Sequence, residues 1–186
     1  VVGRMLRARF GRRVHRSPYP HAAIAIGLAI AADGVEREDR AFELSDRFSR
    51  NFGVFREASG GAAAIADPIF TRDTALPRPG EKTRVARRYR AAHDVGHFRF
   101  FECSAFDEGG APRGDIAPAV DVLFAFDPKL RDAGVDLARW PVRRLDGRGP
   151  MVEERYEVDA HGIVEMTITD LDSGYARTQV LGARSA

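Results

Sequence analysis

A single cysteine, Cys103, stands in the chain, so no intrachain disulfide can form and the redox compartment is left open. It lies in an apolar, strand-like run, where a buried thiol is the default. Lysine is nearly absent: Lys82 and Lys129 are the only two, and arginine serves as the solubilising cation. Long apolar runs are missing as well. The longest, Ala22 to Ala32, falls short of the roughly 20 residues of a membrane span, and no small-residue cleavage pattern follows it. There is no Gly-x-Ser-x-Gly elbow, no Cys/His pair in a catalytic setting and no phosphate-binding glycine loop, so no catalytic residue is assigned. His93 and His97 are four apart, but Gly96 between them disfavours a helix and no third ligand is near, so no metal site is assigned. The sequence begins at Val1 rather than methionine, which reads as the edge of a domain.

What is present indicates a globular chain. Of its 186 residues, 44% are hydrophobic and 30% charged, too apolar for a disordered segment. The net charge of +2 is too small to imply a polyanionic partner, and distribution says more. Residues 1–16 carry Arg4, Arg7, Arg9, Arg12, Arg13 and Arg16 without an acid; residues 82–90 carry Lys82, Arg84, Arg87, Arg88 and Arg90, again without one. Arginine suits phosphate, yet a charge run is most often a solvated face, and nucleic acid ranks well behind protein partners.

The periodicity changes along the chain. Val2, Met5, Leu6 and Phe10 have helical spacing, with Gly11 as a C′ residue. Pro20 suits the first turn of a second helix, and Ala22–Ala32, apolar all round, is expected to be buried. A charged break over 33–47 reads as an interdomain linker. Beyond it the period is two: Val120, Val122, Phe124 and Phe126 alternate with Asp121, Leu123 and Ala125, and Val164, Met166 and Ile168 with Glu165, Thr167 and Thr169. Turn clusters at 58–61, 77–80, 107–110, 159–162 and 170–174 separate these runs. The expected fold is mainly β: an antiparallel β-sandwich over 53–186, preceded by a helical part (1–35) and a linker (36–52). The stretch 128–150, with Trp140, is an excursion with a short helix expected over Leu130–Leu137.

Four segments in order resemble the DnaK-type, seventy-kilodalton heat-shock chaperones. Phe10-Gly11 followed by Tyr19-Pro20-His21-Ala22-Ala23-Ile24-Ala25-Ile26-Gly27 resembles the last helix of the family's actin-like ATPase domain, with His21 where the family has an acid. Phe42-Glu43-Leu44-Ser45-Asp46 is similar to its interdomain linker. Phe70-Thr71-Arg72-Asp73-Thr74-Ala75-Leu76-Pro77 resembles an early segment of its peptide-binding sandwich. Tyr156-Glu157-Val158-Asp159-Ala160-His161-Gly162-Ile163-Val164, with Thr169 to Gly174, resembles the final hairpin. The resemblance covers 1–32 and 42–181. The family's phosphate loops and helical lid have no counterpart within residues 1–186.

The resemblance implies a divergent, lidless chaperone fragment that reversibly binds extended polypeptide segments and that is regulated by ATP in a longer parent. ATP and magnesium, and with them any ATPase activity, would belong to that parent; this fragment is expected to be no enzyme and to hold no cofactor. The runner-up is a dedicated adaptor that has lost general peptide binding. By resemblance the peptide cleft would use Val54, Phe55, Arg56 and Glu57 from one loop, Val85, Ala86, Arg87 and Val95 from a second, and Phe98 beneath. Arg87, Arg88 and Arg90 are expected to be solvated, since burying an unpartnered guanidinium is costly. Unfolded polypeptides and co-chaperones are the implied partners, with no membrane, a cytoplasmic location, and a homodimer through the helical remnant.

Overall fold

In a computed structural model of the chain, residues 2–11, 14, 18–36, 46–132 and 134–181 are described. They fall into two compact units, residues 1–45 and 46–186. The linker-like motif over 42–46 lies outside the described residues except for Asp46.

The first unit holds two helices, α1 (Val2–Phe10) and α2 (Ala23–Glu36). Gly11, at φ +61°, follows α1 in the left-handed conformation that glycine adopts without a Cβ penalty. The expectation that Ala22–Ala32 is a buried helix is corrected: α2 forms, but Ile24 is 81% exposed and Leu28 66%. The sequence signal was composition, and composition supplies no covering surface. A unit of two short helices has too little chain to enclose an all-apolar one.

The second unit is mainly antiparallel β. Its strands are β1 (Asn51–Ala58), β2 (Ala63–Phe70), β3 (Thr83–Arg90), β4 (Val95–Phe106), β5 (Pro112–Ala125), β6 (Met151–Val158), β7 (Val164–Asp170) and β8 (Ala176–Leu181). Among the described residues they form two four-stranded sheets, ordered β2-β1-β4-β5 and β3-β6-β7-β8. Period-two alternation directs one face of each sheet into a shared core. Phe52, Val54, Phe98, Phe100, Val122 and Phe124 come from one sheet; Val152, Tyr156, Val158, Met166 and Ile168 come from the other. The rings of Phe100 and Tyr156 meet edge to face across the interface, 6.1 Å between centroids.

Turn chemistry sets the connections. Between β6 and β7, Asp159 Oδ1 accepts from the backbone N–H of His161 and of Ile163, both at 2.9 Å, and Gly162 takes φ +76°. Residues 46–50 pack with this unit: Phe48 stacks on Phe70, and Arg47 bridges Ala75. Strand β1 begins at Asn51, two residues ahead of the boundary read from the sequence.

Two further expectations are corrected. Residues 54–58 and 85–95, read as the two cleft loops, are mostly strand: the first lie in β1, residues 85–90 lie in β3, whose charged side chains pair with those of β6, and Val95 opens β4. The expected helix over Leu130–Leu137 is replaced by two 3₁₀ turns, Pro128–Leu130 and Leu137–Arg139. Each turn is capped by an aspartate, Asp127 onto Lys129 N and Asp136 onto Ala138 N, and Gly134 lies between them.

Candidate functional site

Sheet order leaves β2 and β3 each at an edge, with unpaired backbone groups along one side. A groove of about 1160 Å³ runs beside them. Its walls are residues 55–68, from β1, the turn after it and β2, and residues 87–93 from β3 and the following loop. Val95 to Arg99 of β4, Phe126, Val142 and Arg144 complete it.

An ionic clasp ties the two sheets together at this groove. Arg56 on β1 donates Nε to Asp67 Oδ2 at 2.7 Å and both terminal nitrogens to Glu154, at 2.8 and 2.7 Å. Arg87 on β3 donates Nε and Nη2 to the two Asp67 oxygens, both at 3.1 Å. The hydroxyls of Tyr89 and Tyr156 donate to the two Glu154 oxygens in short hydrogen bonds. Glu154 is fully buried, and each of its oxygens therefore accepts one guanidinium and one phenol. This satisfies the requirement that a buried charge be both paired and hydrogen-bonded.

The electrostatics follow from the geometry. Burial opposes the Arg56 charge, but the Glu154 and Asp67 contacts outweigh it and hold the guanidinium above its ordinary range. Burial pushes both tyrosines up, and the adjacent Glu154 charge pushes them further, so both phenols stay protonated. For Asp67, burial alone would raise the carboxyl, yet Arg87 and Arg56 bring it below its usual value. Arg56 also sits over the Tyr89 ring, 5.7 Å from its centroid.

A strap crosses the groove beyond the clasp. Glu57 accepts a short hydrogen bond from Arg144 and lies 3.4 Å from His93 Nδ1. Arg144 belongs to the 128–150 excursion, which Asp94 fastens to the β3–β4 loop. The Asp94 carboxylate is buried; it accepts from Trp140 Nε1 at 3.0 Å and from Arg143 N at 2.8 Å. Burial would raise this carboxyl, but those donors hold it low. Backbone bonds from Leu145 N to Ala92 O and from Ala91 N to Pro150 O complete the attachment. Only glycine fits at 149, where an added Cβ would lie 2.0 Å from Ala91 O. Leu130, Val135, Leu137 and Trp140 then cover Val95, Leu123 and Ala125 as a second small core.

Of the nine residues assigned to the cleft, six line this groove: Phe55, Arg56, Glu57, Arg87, Val95 and Phe98. Val54 is fully buried in the core, Val85 packs against that core, and Ala86 is exposed away from the groove. The expectation of a solvated Arg87 is corrected, because its guanidinium is engaged by Asp67 and by Pro68 O. The sequence reading missed Asp67, Tyr89, Asp94, Glu154 and Tyr156. For Glu154 a signal existed: the alternation Val152, Glu154, Tyr156, Val158 places an acid on a buried face. The partner of that acid, about 100 residues away in the chain on β1, has no local signature.

The class defined by this fold is a two-sheet β-sandwich with a groove at its strand edges. No family model matches the chain. It is 26% identical over 188 residues to the "Chaperone protein DnaK" of Thermotoga petrophila, and equally to those of Thermotoga neapolitana and Thermotoga maritima. The match takes in 99% of this chain but 27% of each relative. The chain thus bears a distant, DnaK-like relation along its whole length, and it spans about a quarter of the curated relatives it matches. Among the described residues no helix is long and apolar enough to cross a membrane, and no cluster of three metal-ligating side chains occurs.

Proposed function

We propose that the chain reversibly binds extended polypeptide segments, as the binding part of a chaperone-like protein. The observation that carries this reading is the groove between β2 and β3, which brings two strand edges alongside apolar and charged side chains. Main-chain hydrogen bonds from such edges hold an extended chain whatever its sequence, and pockets for alternate side chains add preference. The distant likeness to DnaK supports the same reading. In the longer protein, binding would be regulated by ATP, with magnesium, at a preceding domain. Unfolded polypeptides are the partners, joined by co-chaperones in a cytoplasmic setting, and we assign this chain no reaction of its own. The exposed apolar side of α2 supports a homodimer through the helical unit.

A library of labelled heptapeptides, read by fluorescence anisotropy, tests the reading. Micromolar binding of many unrelated extended segments is the expected result. Binding of none would overturn it. The 128–150 excursion fastened along the groove rim favours a second reading, an adaptor with one dedicated partner. Binding of one segment and no others would select that reading.

A further inference from the structure

We propose that the groove selects segments rich in Asp and Glu, so that its preferred partner is an acidic extended polypeptide. This rests on reading the groove as a polypeptide site, and it concerns which polypeptides enter.

The first argument is charge. Six arginines line the groove (Arg56, Arg87, Arg88, Arg90, Arg99 and Arg144) against two carboxylates, Glu57 and Asp67. The clasp occupies Arg56 and Arg87, Glu153 accepts from Arg88, and Glu57 accepts from Arg144. Two guanidiniums are left over. Arg90 donates Nη1 to the Gly149 carbonyl at 2.8 Å and reaches no carboxylate among the described residues. Arg99 is exposed and has no ion pair or hydrogen bond among the described residues. His97, two positions before it, takes the nearby Asp121 carboxylate at 3.0 Å. A guanidinium fork matches a carboxylate with two parallel hydrogen bonds. An apolar segment laid here would instead strip water from both forks and return nothing.

The second argument identifies the partner as polypeptide. The wall formed by Ala63, Ala64, Ile65 and Ala66 belongs to an edge strand and is uncharged; the first three are exposed, Ile65 at 55%, and Ala66 is half-buried. Edge strands usually carry a charge that repels a further strand, and this stretch carries none. Backbone amides and carbonyls along that edge match a peptide main chain, which a sugar-phosphate chain does not offer. In an added strand, alternate side chains face opposite sides, so acids two apart would share one side while small or apolar residues take the other. The groove aromatics are poorly placed for stacking bases: Phe98 and Phe126 are buried, the half-buried Phe55 is already stacked on Phe101, and Tyr89 is held by Glu154.

The experiment uses three labelled heptapeptides with the same frame: Leu-rich, with Glu at alternate positions, and with Lys at alternate positions, each at low and high salt. The Glu peptide is expected to bind on the order of tenfold more tightly than the Leu-rich one, with the advantage lost at high salt. In the doubly substituted Arg90→Gln, Arg99→Gln chain, checked for fold by circular dichroism, the Glu peptide should fall to the Leu-rich level. Equal or tighter binding of the Leu-rich peptide, or an acidic preference unchanged by the two substitutions, would overturn the selectivity and leave polypeptide binding standing. Failure of all three peptides would overturn the polypeptide reading itself. Displacement of the Glu peptide by a single-stranded oligonucleotide as effectively as by unlabelled peptide would show that charge alone is read, and would also overturn the proposal.

Discussion

Replacing Glu154 with alanine should be the most damaging single change in the sandwich. The substitution removes an acceptor that four donors share: two nitrogens of Arg56, Tyr89 and Tyr156. Arg56 keeps Asp67, and its side chain retains 21% exposure, so part of its charge is recovered by solvent. Tyr156 is fully buried and recovers nothing. Breaking a buried ion pair by deleting one partner costs about 3–5 kcal/mol, a large share of the roughly 5–15 kcal/mol by which a domain is stable. For a unit of this size that is a fall in Tm of roughly 10–20 °C. Urea melts followed by far-ultraviolet circular dichroism and by Trp140 emission would measure it. The informative control is the double change Arg56→Met with Glu154→Leu, which removes both charges and keeps the volume. Such replacements are often neutral or stabilising, so the double variant should be more stable than Glu154→Ala alone. If Glu154→Ala costs less than about 1 kcal/mol, or the two positions prove additive in a double-mutant cycle, the clasp is not a coupled unit and the reasoning fails.

The remaining predictions concern the excursion and pH. Asp94→Ala should release Trp140 and residues 143–145 from the β3–β4 loop, at a cost of about 1–3 kcal/mol, and emission from Trp140 should shift to the red. Asp67, Asp94 and Asp170 are all held below their ordinary carboxyl values in the fold. Their stabilisation is therefore complete above the unfolded value near pH 4 and is lost as pH falls below it. Tyr89 and Tyr156 are raised in the fold, so the unfolded chain gives up those protons first and stability declines as pH climbs past about 10. Melts at pH 3, 7 and 10.5 (roughly spanning those values) should show both declines; a flat alkaline limb would contradict the buried phenols.

How much of this was legible in the sequence depends on the range of the interaction. Alternation over Val120–Phe126 and Val164–Thr169 is local and correctly marked the end of β5 and β7, because a stretch of strand with one face buried writes a period of two. The same rule failed for β3. Its alternating residues are Thr83, Val85, Arg87 and Tyr89 inward and Arg84, Ala86, Arg88 and Arg90 outward, and the inward Arg87 broke the pattern. That arginine, 37% exposed, takes the inward register with its guanidinium held by Asp67, 20 residues earlier. The expected helix at 130–137 failed for a local reason, since two aspartates cap separate turns. In the groove, Phe55, Arg56, Glu57, Arg87, Val95 and Phe98 were reachable by likeness to a family. Glu154 and Asp94 were not, because what makes each important is a partner brought close only by the folded chain.

Two sets of charges therefore fix the groove at different places, and they should affect binding differently. The clasp at Arg56, Asp67, Arg87 and Glu154 ties the sheets together around a fully buried Glu154, with Arg56 and Asp67 about one-fifth exposed and Arg87 at its outer end 37% exposed. The strap of Glu57 with Arg144 and His93 is about one-third exposed and joins the end of β1 to two loops, without a fully buried charge at its centre, so it is the weaker of the two. A segment entering the groove must pass that strap, while the clasp stays closed. Glu57→Gln should thus leave the melting temperature within a few degrees of the parent, since an exposed pair is worth about 1 kcal/mol or less. It should raise the association and dissociation rates of a bound peptide together, leaving Kd nearly unchanged, because a barrier common to entry and exit is lowered. Stopped-flow anisotropy with the Glu-substituted heptapeptide measures both rates. If only the dissociation rate rises, Glu57 is a contact that holds the peptide; if neither changes, the strap does not lie on the path of entry.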